Sequence, residues 1–322
     1  PFFQSFYLYL LKFFTKVMQM FRYLKLIVLN RNAILVFAVI AGIIVGEHAG
    51  SLKFLTFPAL ALTMTFSMTG MSLVQLRSEP HIFKPMLTGI ALNYVAFSAV
   101  MLPLAYWLMP TKELFYGFVI IAATPPGVAI IPFSFILRGN VVYAIISVTG
   151  AFLGSILIAP LMVKLFATSS GINPTDLLLL MLQLVVAPLV VSRFLLWKPI
   201  KPFIEKVRGK VVDWGFAILI FVAVGLNRQV FFSSPALLLS ITGILVVTIF
   251  GLGHFTNILA RHLNISQEKR IPMVMLIGIK SSGFSVFTAL TLFGKEAAIP
   301  SAVMAVVVLL YLIFLSIKSK AL

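Results

Sequence analysis

A chain of 322 residues that is 61% hydrophobic and only 10% charged is not a water-soluble globule, since soluble domains carry about 25% charged residues. It has no cysteine, which excludes a disulfide framework and thiolate metal ligation. A formal net charge of +17 invites a nucleic-acid partner, but membrane topology explains the charge better, and no nucleic acid is expected.

Inside a bilayer only helices and closed barrels satisfy their own backbone. Barrel strands alternate polar and apolar residues. Here the apolar runs are continuous, as in 33–46, 177–191 and 302–315. The expectation is an all-α polytopic membrane protein. A spanning helix needs about 20 mostly apolar residues. Cutting at polar and Pro/Gly clusters gives ten spans, at 33–48, 52–76, 84–108, 113–138, 140–166, 175–196, 211–230, 235–262, 271–293 and 296–317. Residues 1–32 read as a basic, aromatic-rich segment lying on the inner leaflet. The stretch 198–210, between the two halves, reads as a cytoplasmic connector.

Of the 25 Lys and Arg, 19 fall on one side of these ten spans, 5 on the other, and Lys280 on neither. By the positive-inside rule the 19 are cytoplasmic, which puts both termini there and suits a cell inner membrane. Glu47, Glu113, Asp176 and Glu296 then lie in outer loops, and Glu79, Glu205, Asp213 and Glu268 in inner ones. No carboxylate is left within the hydrocarbon to bind a cation or relay a proton.

Span four carries Thr124-Pro125-Pro126-Gly127 and then Pro132. Two prolines in succession remove donors and interrupt a helix. Span nine carries Gly278, Lys280, Ser281, Ser282 and Gly283. Each is the fourth of five spans if the chain divides into 33–166 and 167–322. Interruptions at matching places in two halves point to a transporter binding site. Lys280 stands near the middle of its span, where a charge costs about 2.5–3.5 kcal/mol and is a functional candidate by default.

The stretch 124–140, from Thr-Pro-Pro-Gly to Arg-Gly-Asn, resembles the fourth-helix motif of the bile acid:sodium symporter family, Pro-Gly-Gly-x-x-Ser-Asn closing in Lys/Arg-Gly-Asn/Asp. Leu276-Ile-Gly-Ile-Lys-Ser-Ser-Gly-Phe284 resembles its ninth-helix pattern Glu-x-Gly-x-Gln-Asn-x-Gly-Leu. The resemblance implies ten transmembrane helices in an inverted 5+5 repeat. It implies a panel of helices 1, 2, 6 and 7, and a core of helices 3–5 and 8–10 in which discontinuous helices 4 and 9 cross. The departures fall where that family binds sodium: Ile130 and Ile131 replace Ser-Asn, Leu276 the Glu, Lys280 the Gln and Ser281 the Asn. A His-Asn pair of the tenth helix falls on apolar Val308 and Leu309.

These departures suggest that Lys280 takes the electrostatic place of a bound cation. The function expected is secondary transport of a small organic anion by alternating access, independent of sodium: uniport, exchange, or proton-linked transport if Lys280 releases its proton in one state. The anion would meet the half-helix N-termini. Candidate binding residues are Thr124, Pro126, Gly127, Val128 and Ala129 in span four, Lys280, Ser281, Ser282 and Gly283 in span nine, and Asn93 in span three. No metal and no cofactor is implied. The expected partners are the substrate and the lipid bilayer, and a monomer is the working expectation. Alternatives are a sodium-coupled symporter using carbonyls and hydroxyls, a related efflux carrier, and a non-transporting sensor. An enzyme is not expected, because His-Glu-x-x-His and paired Asp/His spacings are missing. His254 reads as a hydrogen-bonded core residue rather than a proton relay, and Gly42-Ile-Ile-Val-Gly46 as a close-packing motif.

Overall fold

The computed structural model describes residues 31–71, 82–167 and 174–320. Nearly all of residues 1–32, and with them the interfacial segment, lie outside the described residues, as do Arg77 and Glu79. The described residues form helices: α1 Arg31–Val45, α2 Thr56–Met68, α3 Phe83–Leu108, α4 Lys112–Ala123, α5 Ile130–Ile136 and α6 Val141–Phe166. After these come α7 over 174–194, α8 Lys201–Leu226, α9 Pro235–His262, α10 Gln267–Gly278, α11 Ser282–Leu292 and α12 Ala298–Lys320. Among the described residues, five helices are long and apolar enough to cross a membrane unaided: α3, α6, α8, α9 and α12 over Ala298–Ile317. Large apolar side chains such as Phe83, Leu87, Trp107, Leu157 and Leu239 point outward, a surface suited to lipid rather than water.

One helix boundary differs from the sequence reading in a way that matters. The connector 198–210 is not a loop preceding a helix at 211. Instead α8 starts at Lys201, with proline in its first turn. Hydropathy registers only the part of a helix that sits in hydrocarbon, so charged turns projecting beyond it read as loop. The fourth and ninth spans are each two helices, α4–α5 and α10–α11, broken at 124–129 and 279–281.

Close backbone approach joins α1 to α8. A Cβ at Gly46 would stand 2.6 Å from Gly225 Cα, and one at Gly42 3.0 Å from Val224. The GxxxG pair therefore works as a packing face, with Gly225 opposite. Arg193, near the end of α7, donates from Nη1 to Met71 O at 2.8 Å and from Nη2 to Met68 O. It caps the carbonyl end of α2, where a cation is favoured. Arg193→Met removes both guanidinium bonds, leaving Met68 O with only the Met71 N–H, and is expected to lower stability by about 2 kcal/mol, read as a drop in Tm of the detergent-solubilised protein. Thr65 of α2 and Thr69 just past its end bond back to that helix, to Ala61 O and Phe66 O.

Candidate functional site

The two breaks meet. Pro126 and Lys280 form an isolated antiparallel bridge. Gly127 N–H donates to Ile279 O at 2.8 Å, and Ser281 N–H to Pro125 O at 3.0 Å. Each unwound segment thus satisfies backbone groups the other has lost, which is how non-helical chain is tolerated in a protein interior at membrane depth. Gly127 fits because a Cβ there would already crowd Ile279 and the Lys280 carbonyl, at 3.0 and 3.3 Å.

From this bridge the Lys280 side chain turns inward and is 2% exposed. Its Nζ donates to three backbone carbonyls: Asn93 O at 2.6 Å, Ala122 O at 3.0 Å and Thr124 O at 3.1 Å. Two of these belong to the C-terminal end of α4, the negative end of its dipole. The third is available because α3 widens into a π turn over Ala91–Ala96. There Phe97 N–H donates to Leu92 O and Tyr94 O, whereas α-helical spacing would direct it to Asn93 O. The faces of Tyr94 and Phe97 lie 5.1 and 4.6 Å from Nζ, close enough for cation–π attraction. All its partners are neutral groups. The Asn93 carboxamide donates to Thr124 O at 3.1 Å and fixes that carbonyl. Thr124 Oγ1 bonds back to Ile120 O.

In front of the bridge lies a cavity of about 710 Å³. Gly127, Val128, Ala129, Ser281, Ser282 and Gly283 contribute to its inner wall, with Lys280. Ile131, Val308 and Leu309 line it as well, so the aliphatic replacements present no oxygen ligands there. Its mouth carries Lys206, Arg208 and Lys210 together with Glu205 and Asp213, all on α8. Sequence reasoning misses these mouth residues as site residues because their charge makes the start of α8 read as loop. Asn93, Thr124 and Pro126 do not line the cavity. Asn93 and Thr124 hold the lysine from behind, and Pro126 is part of the bridge itself.

Ser67 and Gly70, at the far end of α2, line the cavity beside the charged mouth. At the near end of α2, Phe57 packs on Phe287 of α11, ring centroids 5.9 Å apart. Elsewhere Arg228 pairs with Glu47 at 2.7 Å, and Thr111 Oγ1 donates to Glu296 at 2.7 Å. His254, expected in the core, is instead exposed on α9, because that helix turns its polar edge to a second cavity of about 720 Å³.

Residues 28–320 match the model of the SBF-like CPA transporter family. The chain is similar to YocS, an uncharacterized sodium-dependent transporter of Bacillus subtilis, with 24% identity over 227 residues, 68% of each chain. It is also similar to BASS1, a probable chloroplastic sodium/metabolite cotransporter of Arabidopsis thaliana. There the identity is 24% over 254 residues, 77% of this chain and 62% of that protein.

Proposed function

The chain belongs to the SBF-like CPA transporter family, and on that premise we propose that it carries a small organic anion by alternating access, with Lys280 standing in for a coupling cation. Membership makes it an integral membrane transporter rather than an enzyme. The observation that carries the finer reading is the Lys280 ammonium held by three carbonyls at the crossing of the breaks. Sodium takes oxygen ligands as other hard cations do, and a cluster of carbonyls beside a helix C-terminus is a cation's environment. In this chain a tethered ammonium fills it.

The chain folds as ten spans in an inverted 5+5 repeat, with a panel of spans 1, 2, 6 and 7 and a core of the rest. Matching irregularities support the repeat. The third span of each half carries a π turn, Ala91–Ala96 and Val247–Gly251, and the fourth of each half is broken. The termini lie in the cytoplasm of an inner membrane, so the basic mouth on α8 opens inward. The anion sits at the N-terminal turn of α11, where Ser282 and Gly283 carry N–H groups without intrahelical partners. Ser281, Gly127, Val128 and Ala129 complete that wall, Asn93 and Thr124 hold Lys280 from behind, and Pro126 pairs with it in the bridge. Rocking of core against panel would carry the site from one side to the other.

Sodium-coupled symport in the same fold is the second reading, favoured by the names of both relatives. A thermal-shift screen of carboxylates and sulfonates separates the two. Hits that raise Tm equally in sodium and in choline buffers support the proposal, and hits that act only with sodium overturn it.

A further inference from the structure

The second cavity is separate from the transport site and shares no lining residue with it. It lies among α5, α9, α10 and α12. At one end stand three arginines from different helices: Arg138 just past α5, Arg261 in the last turn of α9 and Arg270 in the first turns of α10. Among the described residues no carboxylate lines the cavity. Arg270 is little committed elsewhere: Nη1 reaches Ile265 O only at 3.5 Å, and its buried Nε has no partner among the described residues. Arg138 has a left-handed backbone, φ 60°, a conformation glycine or asparagine adopts with less strain. Local folding alone does not favour an arginine there.

The other end is apolar. Phe250, Tyr311, Val274 and Met275 line it, and Phe250 stands roughly 16 Å along α9 from Arg261 at 1.5 Å per residue. Next to the cavity, Phe255 and Ile258 of α9 and Phe314 of α12 are exposed large apolar side chains. The cavity is therefore polarised along α9, cationic at the helix end and apolar around Phe250 and Tyr311, with His254 and Asn257 between.

We propose that this cavity binds an anionic phospholipid of the same leaflet, with its phosphate among Arg138, Arg261 and Arg270 and the start of an acyl chain on Phe250 and Tyr311. Guanidinium groups suit phosphate because they donate in a planar fork. The shared chemistry is a phosphate anion. The apolar floor selects the lipid over free phosphate, which gains nothing from it. The ligand would brace α5 against α9 and α10, the elements behind the crossing.

The test is thermal unfolding of the full chain in neutral detergent, titrated separately with dioleoyl phosphatidylglycerol, dioleoyl phosphatidylcholine and inorganic phosphate. Phosphatidylglycerol should raise Tm by several degrees and saturate, while the other two leave it unchanged. Arg261→Gln, on an exposed helix surface, should raise the half-saturating lipid concentration about tenfold, the scale of one charge-assisted hydrogen bond. Arg138→Gly relieves the left-handed backbone, so Tm without lipid should hold or rise while the lipid response weakens. Lys198→Gln/Lys201→Gln, on the same side but outside the cavity, should respond as the parent does. An equal response to phosphatidylcholine or to inorganic phosphate overturns the proposal. So does an unchanged response in both arginine variants, or no response in the parent.

Discussion

Lys280→Ala is expected to abolish transport and to make the protein's stability depend on sodium. The substitution removes the donor shared by three buried carbonyls. Leaving buried acceptors without their donor costs about 1–3 kcal/mol, on the order of ten- to a hundredfold in any equilibrium that needs the closed crossing. The variant keeps the oxygens: Asn93 O is presented by the π turn of α3, and Ala122 O and Thr124 O by the end of α4. It also gains the space the side chain filled. A small hard cation with one or two waters fits that chemistry. Sodium in the tens of millimolar should therefore raise the Tm of Lys280→Ala while leaving the parent unchanged, and choline should not. A variant as stable as the parent in choline, or a parent that sodium stabilises equally, would refute the assignment.

Gly283→Val should cut transport at least tenfold by a different route. Gly283 lies at the start of α11 and faces α8. A Cβ there would stand 2.3 Å from Phe216 Cδ1 and 2.8 Å from Leu219 Cδ1. No such contact survives, so either the Phe216 ring moves or α11 separates from α8. Overpacking of this kind costs about 1–3 kcal/mol. On the proposed division, which assigns α8 to the panel and α11 to the core, the clash falls on the surface between them. The double variant Gly283→Val/Phe216→Ala relieves the crowding and should recover most of the flux. Uptake of the anion identified by the thermal screen reads both. Gly283→Val at full flux, or no recovery in the double variant, would count against a core-panel contact at this position.

The helices of this chain are legible where the chemistry of lipid dictates them. Continuous apolar runs mark the helices; Pro125-Pro126 marks one break because donors are lost there, and the Gly, Lys and Ser residues of 278–283 mark the other by poor helix formers and a charge within an apolar span. That Lys280 has no acidic partner can also be read, since every carboxylate has a place near a loop. Its actual partners cannot. They are backbone carbonyls, which every residue carries, and the π turn that frees Asn93 O has no side-chain signature. The charged first turns of α8 read as loop for lack of apolar residues, which hides the mouth of the cavity. Of the arginines of the second cavity, Arg138 is more than a hundred residues of chain from Arg261 and Arg270, so only folding brings it to them. Asn93 reads as a substrate-binding residue in the sequence, yet its part in the structure is to fix a carbonyl beneath the lysine rather than to face the cavity.

The most direct measurement is initial uptake of the identified anion into proteoliposomes, with an inward sodium gradient and with choline in its place, at equal ionic strength and clamped potential. If a fixed ammonium has replaced the coupling ion, the two rates are equal and Lys280→Ala is inactive in both. A several-fold faster uptake under the sodium gradient in the parent protein would contradict that replacement.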